Sequence, residues 1–448
     1  MAARLRDYWE DLVSSLWLTP TLLALLAAGL STLTLFLDEH IPGLGGVQFW
    51  LFGGTAGAAR DLLAAIAGSL ITVVALAFST TLIAIQQASS QYSPRVIRNF
   101  MRDTINQVTF GSYVATFIYA LLILRQVRES RSGFDEFVPA LSITLALVLA
   151  LICVALLIYF IHHTASSLQV TTISAAIRQD LRKGVQQLYP KEIAEPLQAH
   201  DGTLPAPPQS PPSMTIRALK AGFLRNIDEE GLVNSLPDDV MFARVPVQVG
   251  EFLFEGGGLV ELWSRTVPPQ EQCDGLVAAF TVGDERSLNQ DVLFGIRQLV
   301  DIALKALSPG VNDPTTAENC LAHLGDTVAQ LAKRPFPASW RYAPQSKTVV
   351  LLKRPDFPQL VDAAFSQIRR EAANDPHVTL YLIEVLWQIG GRITIAGRGE
   401  AIRAQLDAID AVLDDQSFAP GDRQRIAMAL VDARTGVAAP VSRNRCNV

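Results

Sequence analysis

Cysteine is scarce in this 448-residue chain: Cys153, Cys273, Cys320 and Cys446 lie far apart and form no CxxC pair. That spacing excludes a disulfide framework and the common zinc patterns. Six histidines make no HExxH helix, and neither a GxSxG elbow nor a kinase-like set occurs, so familiar signatures of hydrolytic and phosphotransfer chemistry are missing. No catalytic residue, metal or cofactor is assigned. Basic charge is also short, with a formal net charge of −6. Up to Pro190 there are 12 Lys plus Arg against 11 Asp plus Glu, so the remainder is net −7. A chain of this balance lacks the clustered basic footprint of a nucleic-acid surface, and no nucleic-acid partner is expected.

What is present is apolar length. Four runs carry no charge: Leu16 to Leu37, Leu62 to Ile85, Val108 to Leu124, and Phe137 to Ile161. At 1.5 Å per residue the first, second and fourth can reach across a hydrocarbon core of about 30 Å, while the third is short, at the lower limit for a span. The first follows 15 mostly polar residues and has no small-residue cleavage site after it, so it reads as a retained helix. Arg4 and Arg6 precede the first run, Arg95, Arg98 and Arg102 separate the second from the third, and Arg178, Arg182 and Lys183 follow the fourth. This pattern places both termini on the cytoplasmic side, although Arg125, Arg128 and Arg131 on the opposite side weaken the bias.

The second run organises the reading. Ser69, Thr72, Ser79 and Gln86, with Leu76 and Ile83 between them, recur at steps of three and four, one stripe of a helix. Polar groups in hydrocarbon must meet protein or water. Two explanations are open: close helix packing through small and hydroxyl residues, or copies of the helix lining a pore with Leu76 and Ile83 as apolar constrictions. After Pro94, the segment bearing Arg95, Arg98 and Arg102 is basic and amphipathic, suited to anionic headgroups at the inner face or to the mouth of such a pore.

The cytoplasmic part changes composition. A helical extension through Leu188 leads to DGTLPAPPQSPPS (Asp201 to Ser213), an extended connector. From 237 to 283, short apolar runs broken by glycine and proline, among them LVAAFTV (Leu276 to Val282), predict a small β-barrel or sandwich. Gly256, Gly257 and Gly258 precede a strand-like run, so they predict a tight turn instead of a phosphate cradle. Next, Ser287 with Gln290 predicts a capping box and Asp301 with Lys305 a helical ion pair. Ser308, Pro309 and Gly310 stop that helix, and Asp313 followed by Pro314 opens another. Ser308, Asn312, Asp313, Thr315 and Thr316 form a candidate anion or ligand turn. KTVVLL (Lys347 to Leu352) predicts a strand, and four helices follow. The expected domains are 1–165 (four spans), 166–236 (extension and connector), 237–283 (β subdomain), 284–438 (mostly helical) and 439–448 (tail).

The segments AFSTTLIAIQQASSQYSPRVI (Ala77 to Ile97) and GDERSLNQDVLFGIRQLVDIALKALSPGVNDPTTA (Gly283 to Ala317) resemble an uncharacterised family of bacterial predicted integral membrane proteins. The resemblance implies four N-terminal transmembrane helices followed by a conserved cytoplasmic domain, and no activity. The fold class is therefore a membrane α-helical bundle followed by a cytoplasmic α+β domain. Two functional expectations stand: a homo-oligomeric ion channel or transporter lined by the second helix, or a membrane-anchored sensor or scaffold whose cytoplasmic domain binds a small ligand or partner.

Overall fold

The computed structural model describes residues 17–40, 51–91, 104–129, 136–167, 169–190, 208–343, 348–414 and 418–438. The chain divides into two compact units, Met1–Thr172 and Ile173–Val448.

Among its described residues the first unit contains four helices long and apolar enough to cross a membrane: α1 (Leu18–His40), α2 (Ala56–Gln91), α3 (Thr104–Gln126) and α4 (Ala140–Ser167). α3 is the central helix, with 44% of its span buried against 17–28% in the other three. Its centrality explains why it has the shortest uncharged run. A helix screened from lipid by its neighbours can carry polar groups, and α3 buries Asn106, Gln107, Thr109, Thr116 and Tyr119. Gly111 gives α1 its approach: a Cβ there would meet Leu23 at 2.6 Å and the Pro20 backbone at 3.1 Å.

Hydrogen bonds pin the helices together. Tyr119, fully buried, shares a 2.9 Å bond with Thr34 and donates to the Ser142 carbonyl at 3.2 Å, tying α1, α3 and α4. Near the end of α1, the Asp38 carboxylate accepts from the backbone N–H groups of Leu141 and Ser142 at 2.9 and 3.0 Å. It neutralises orphan donors at the start of α4, where the helix dipole favours negative charge.

The second unit takes in most of α5 (Val170–Leu188) and continues through β1 (Met214–Arg217), β2 (Gly222–Ile227), α6 (Glu229–Asn234), β3 (Val240–Val245), β4 (Phe252–Leu253) and β5 (Gly258–Ser264). It then forms α7 (Gln270–Ala278), β6 (Phe280–Gly283), α8 (Val292–Leu307), α9 (Pro314–Leu331), β7 (Trp340–Ala343) and β8 (Thr348–Leu352). Four helices complete it: α10 (Phe357–Glu371), α11 (Pro376–Gly390), α12 (Arg398–Asp410) and α13 (Pro420–Ala438).

Two sheets, ordered β1-β5-β3-β8-β7 and β4-β2-β6, share one apolar core that includes Leu224, Leu253, Val260, Leu262, Phe280 and Val350. β3 and β8 pair in parallel, Phe242 opposite Val349 and Val245 opposite Leu352, across about a hundred residues of chain. LVAAFTV is not one strand: it contains the end of α7 and most of β6. The glycine turn is present, with Gly256 at φ +76°.

Aspartate caps the helices. Asp313 accepts from the Thr316 N–H and hydroxyl, with Pro314 in the first turn of α9, as expected. α8 departs from the expected start: its N-cap is Asp291, whose carboxylate accepts from Phe294 N. Ser287 is too early to cap it, and Gln290 is drawn instead to the backbone of Ile227, accepting from its N–H at 3.0 Å and donating to its carbonyl at 3.2 Å. A capping box does occur at Asp356 and Gln359, opening α10. Asp301 pairs with Arg297 at 2.8 Å, one turn before it.

Candidate functional site

On α2 one face is buried, through Leu63, Ile66, Ala67, Leu70, Ala77, Thr81 and Ala84. The stripe of Ser69, Thr72, Leu76, Ser79, Ile83 and Gln86 lies on the opposite, exposed side. No other helix of the described chain covers it. Ser69 donates to the Ile66 carbonyl at 3.0 Å and Thr72 to the Gly68 carbonyl at 3.1 Å. Their hydrogens are thus satisfied on the helix itself, leaving oxygen lone pairs outward, and Leu76 and Ile83 stand among them 64% and 67% exposed. Arg95, Arg98 and Arg102 fall outside the described residues.

In the second unit, the turn after α8 is held by its own chain. Ser308 donates to the Lys305 carbonyl at 2.7 Å, Asn312 N donates to the Ser308 carbonyl at 2.9 Å, and Asp313 N to the Ala306 carbonyl at 2.8 Å. Asn312 adopts φ +47°, a left-handed conformation that asparagine tolerates. Asp313 and Thr316 come together at the start of α9, while Thr315 is exposed. The Asp313 carboxylate takes the Thr316 N–H and hydroxyl.

A cavity of about 210 Å³ forms instead where α5, β2, the starts of α8 and α10, and the end of β8 meet. Its wall holds two charged clusters that the sequence reading missed. Asp291, 3% exposed, takes a two-pronged bond from Arg286, Nε at 2.8 Å and Nη2 at 3.0 Å, besides capping α8. Burial raises the Asp291 carboxyl, and Arg286 opposes that rise. Gly250 passes directly beside this pair at φ +93°, where a Cβ would collide with the Asp291 carboxylate. Across the cavity, Glu229 binds Arg341 Nε at 2.7 Å and also Arg354, whose own Nε is buried without a partner. Tyr189 is nearly buried in the same wall, and its hydroxyl is pushed up to about 12 by desolvation. It stays a protonated phenol, able to donate and accept.

Charge on this wall is paired. Its carboxylates are engaged in guanidinium pairs, and the buried thiols of the unit are raised by desolvation, Cys320 to about 12. Among the described residues no group of three His, Cys, Asp or Glu could hold a metal ion. The signal in sequence for the cavity was weak, since Tyr189, Glu229, Asp291 and Arg354 are spread over about 165 residues of chain.

The family model described as "Predicted membrane protein (DUF2254)" matches residues 13–388. The chain belongs to this family. Uncharacterized proteins of Mycobacterium tuberculosis and Mycobacterium bovis are 30% identical to this DUF2254 protein over 447 residues, covering 98% of this chain and 84% of theirs. No solved structure matches.

Proposed function

We propose that this DUF2254 protein is a homo-oligomeric channel or transport protein of the bacterial inner membrane, with both termini cytoplasmic and α2 lining the path. The carrying observation is the outward stripe: six residues from Ser69 to Gln86 lie on the exposed face of α2, and its buried face is fully used by the bundle. In hydrocarbon, outward hydroxyl and amide oxygens gain most from facing another copy or water. Leu76 and Ile83 then act as apolar constrictions between wetted levels. The basic residues Arg95, Arg98 and Arg102 serve as the inner-face contact with anionic lipid or the cytoplasmic mouth.

Ion flux into liposomes containing the full-length protein tests this reading. Ser79→Leu fills the stripe with an apolar side chain and should abolish flux while oligomer size is unchanged. Normal flux in an intact Ser79→Leu oligomer rejects α2 as the lining.

A second reading, a membrane-anchored sensor, is favoured by the separate observation of the 210 Å³ cavity with its paired Arg286–Asp291 and Glu229–Arg354 clusters. That volume accommodates a small polar molecule. The reading predicts a ligand-dependent rise in stability, lost in Arg354→Ala, with no ion flux in wild type.

A further inference from the structure

Inside the membrane bundle, a second polar stripe has no such explanation. Asn106, Thr109, Tyr113 and Thr116 recur at steps of three, four and three along α3, so they share one helix face. Thr116 identifies what that face meets, because its hydroxyl is 3.3 Å from the Cys153 sulfur on α4. Phe110 packs edge-on against Phe160 with ring centroids 5.8 Å apart, which fixes the antiparallel register of the two helices. Continued one turn further, that register brings Asn106 level with Thr164 of α4.

Thr116 is satisfied, also donating to the Ser112 carbonyl at 2.8 Å. The others on this face are not. Asn106 Oδ1, Thr109 Oγ1, the Tyr113 hydroxyl and, opposite, Thr164 Oγ1 are buried without a hydrogen-bond partner, as is the neighbouring Gln107 Nε2. Their residues are 0–4% exposed. Buried polar atoms are almost always paired, and several left dry at one end of a bundle would consume much of a protein's stability. Threonine in a helix ordinarily discharges its proton on a carbonyl one turn back, as Thr72, Thr80 and Thr81 do here. Thr109 and Thr164 do not.

The chemistry of the set selects its occupant. Four of the five atoms are neutral oxygens with unused lone pairs and one is an N–H donor; the three hydroxyls can accept a cation through oxygen and give their protons to water. None is a carboxylate, which a divalent cation would require. Neutral carbonyl and hydroxyl oxygens replacing part of a hydration shell are the ligands of monovalent cations. Asn106 to Tyr113 spans about 10 Å of helix, too long for one ion to touch every atom. We propose that the α3–α4 interface holds a monovalent-cation site at Asn106, Thr109 and Thr164, with water completing the coordination and meeting Gln107 and Tyr113. The site lies within one protomer and does not rest on α2 lining a path.

The test is the melting temperature of the purified full-length protein in detergent, in sodium, potassium or choline chloride at constant ionic strength. Sodium or potassium should raise it saturably by roughly 3–5 °C over choline at a tenfold excess over Kd. Asn106→Leu, Thr109→Val and Thr164→Val, each close to isosteric, should fold and remove or weaken that rise. Equal melting in all three salts overturns the site, as does a cation-dependent rise of undiminished size in every variant that folds. Because the readout is stability, its failure leaves the flux experiment on Ser79 unaffected.

Discussion

The two units solve opposite problems with the same residue types. In the membrane unit large apolar side chains face outward, Leu26 at 68% and Ile158 at 68% exposed, while Asn106, Gln107, Tyr119 and Ser142 are enclosed. In the second unit Leu299, Leu324 and Phe365 are fully buried, and charges are spent on caps and ion pairs at the ends of elements. Where lipid surrounds the helices, burying a leucine gains little, so small residues and hydrogen bonds hold the bundle. Where water surrounds them, apolar burial drives folding and each enclosed charge must be paired.

The largest expected effect breaks such a pair. Asp291→Ala leaves the Arg286 guanidinium in a half-buried site without its carboxylate and uncaps α8. Losing one partner of a buried pair costs about 3–5 kcal/mol. Hydrogen exchange in the full chain should therefore accelerate strongly across α8 and β2, while α1 to α4 keep their protection. Unchanged exchange at α8 would mean that the pair lies on a part of the surface already wet.

A matched pair of substitutions sharpens the comparison at the surface. Leu26 of α1 and Leu219, after β1, are both large, apolar and exposed, the latter at 79%. Leu26→Lys should lower membrane insertion by about 2.5–3.5 kcal/mol, because its exposure is to lipid. Leu219→Lys, exposed to water, should stay within about 0.5 kcal/mol of wild type. Glycosylation-based insertion assays read the first and melting of the solubilised protein the second. Equal, small effects would remove the argument that the α1 surface meets hydrocarbon.

The contrast also explains what could be read from the chain. Membrane spans announce themselves because charge is excluded over a long stretch, and α1, α2 and α4 follow those limits closely. α3 was fainter because its partners are other helices, and the polar residues that blurred its signal form the buried stripe facing α4. In the second unit, local chemistry was legible where a residue acts within a few positions, as Asp313 and Pro314 do. It failed where a distant partner competes: Gln290 is taken by Ile227, 63 residues away, and α8 is capped by Asp291 instead. The parallel pairing of β3 with β8 and the cavity of Tyr189, Asp291 and Arg354 are long-range products of packing, with no periodicity to betray them.

The smallest expected effect concerns pH, and it falls only on the second unit. His323 on α9 is held below its ordinary value, first by burial and then by the nearby Arg178 cation, with Asp326 opposing. Because its folded pKa lies below the unfolded one, the neutral ring is favoured in the native state. The resulting stability is fully present above the unfolded value of about 6.5. It is lost as pH falls through that value toward the folded pKa. Amides of α9 should lose protection between pH 7.5 and 5.5, after correction for intrinsic exchange, more in wild type than in His323→Gln. Helices of the membrane unit should show no such difference between the two proteins. If His323→Gln and wild type respond alike, the imidazole is reached by water in both states, and Arg178 is then paired to Asp326, 3.9 Å away, too closely to disturb it.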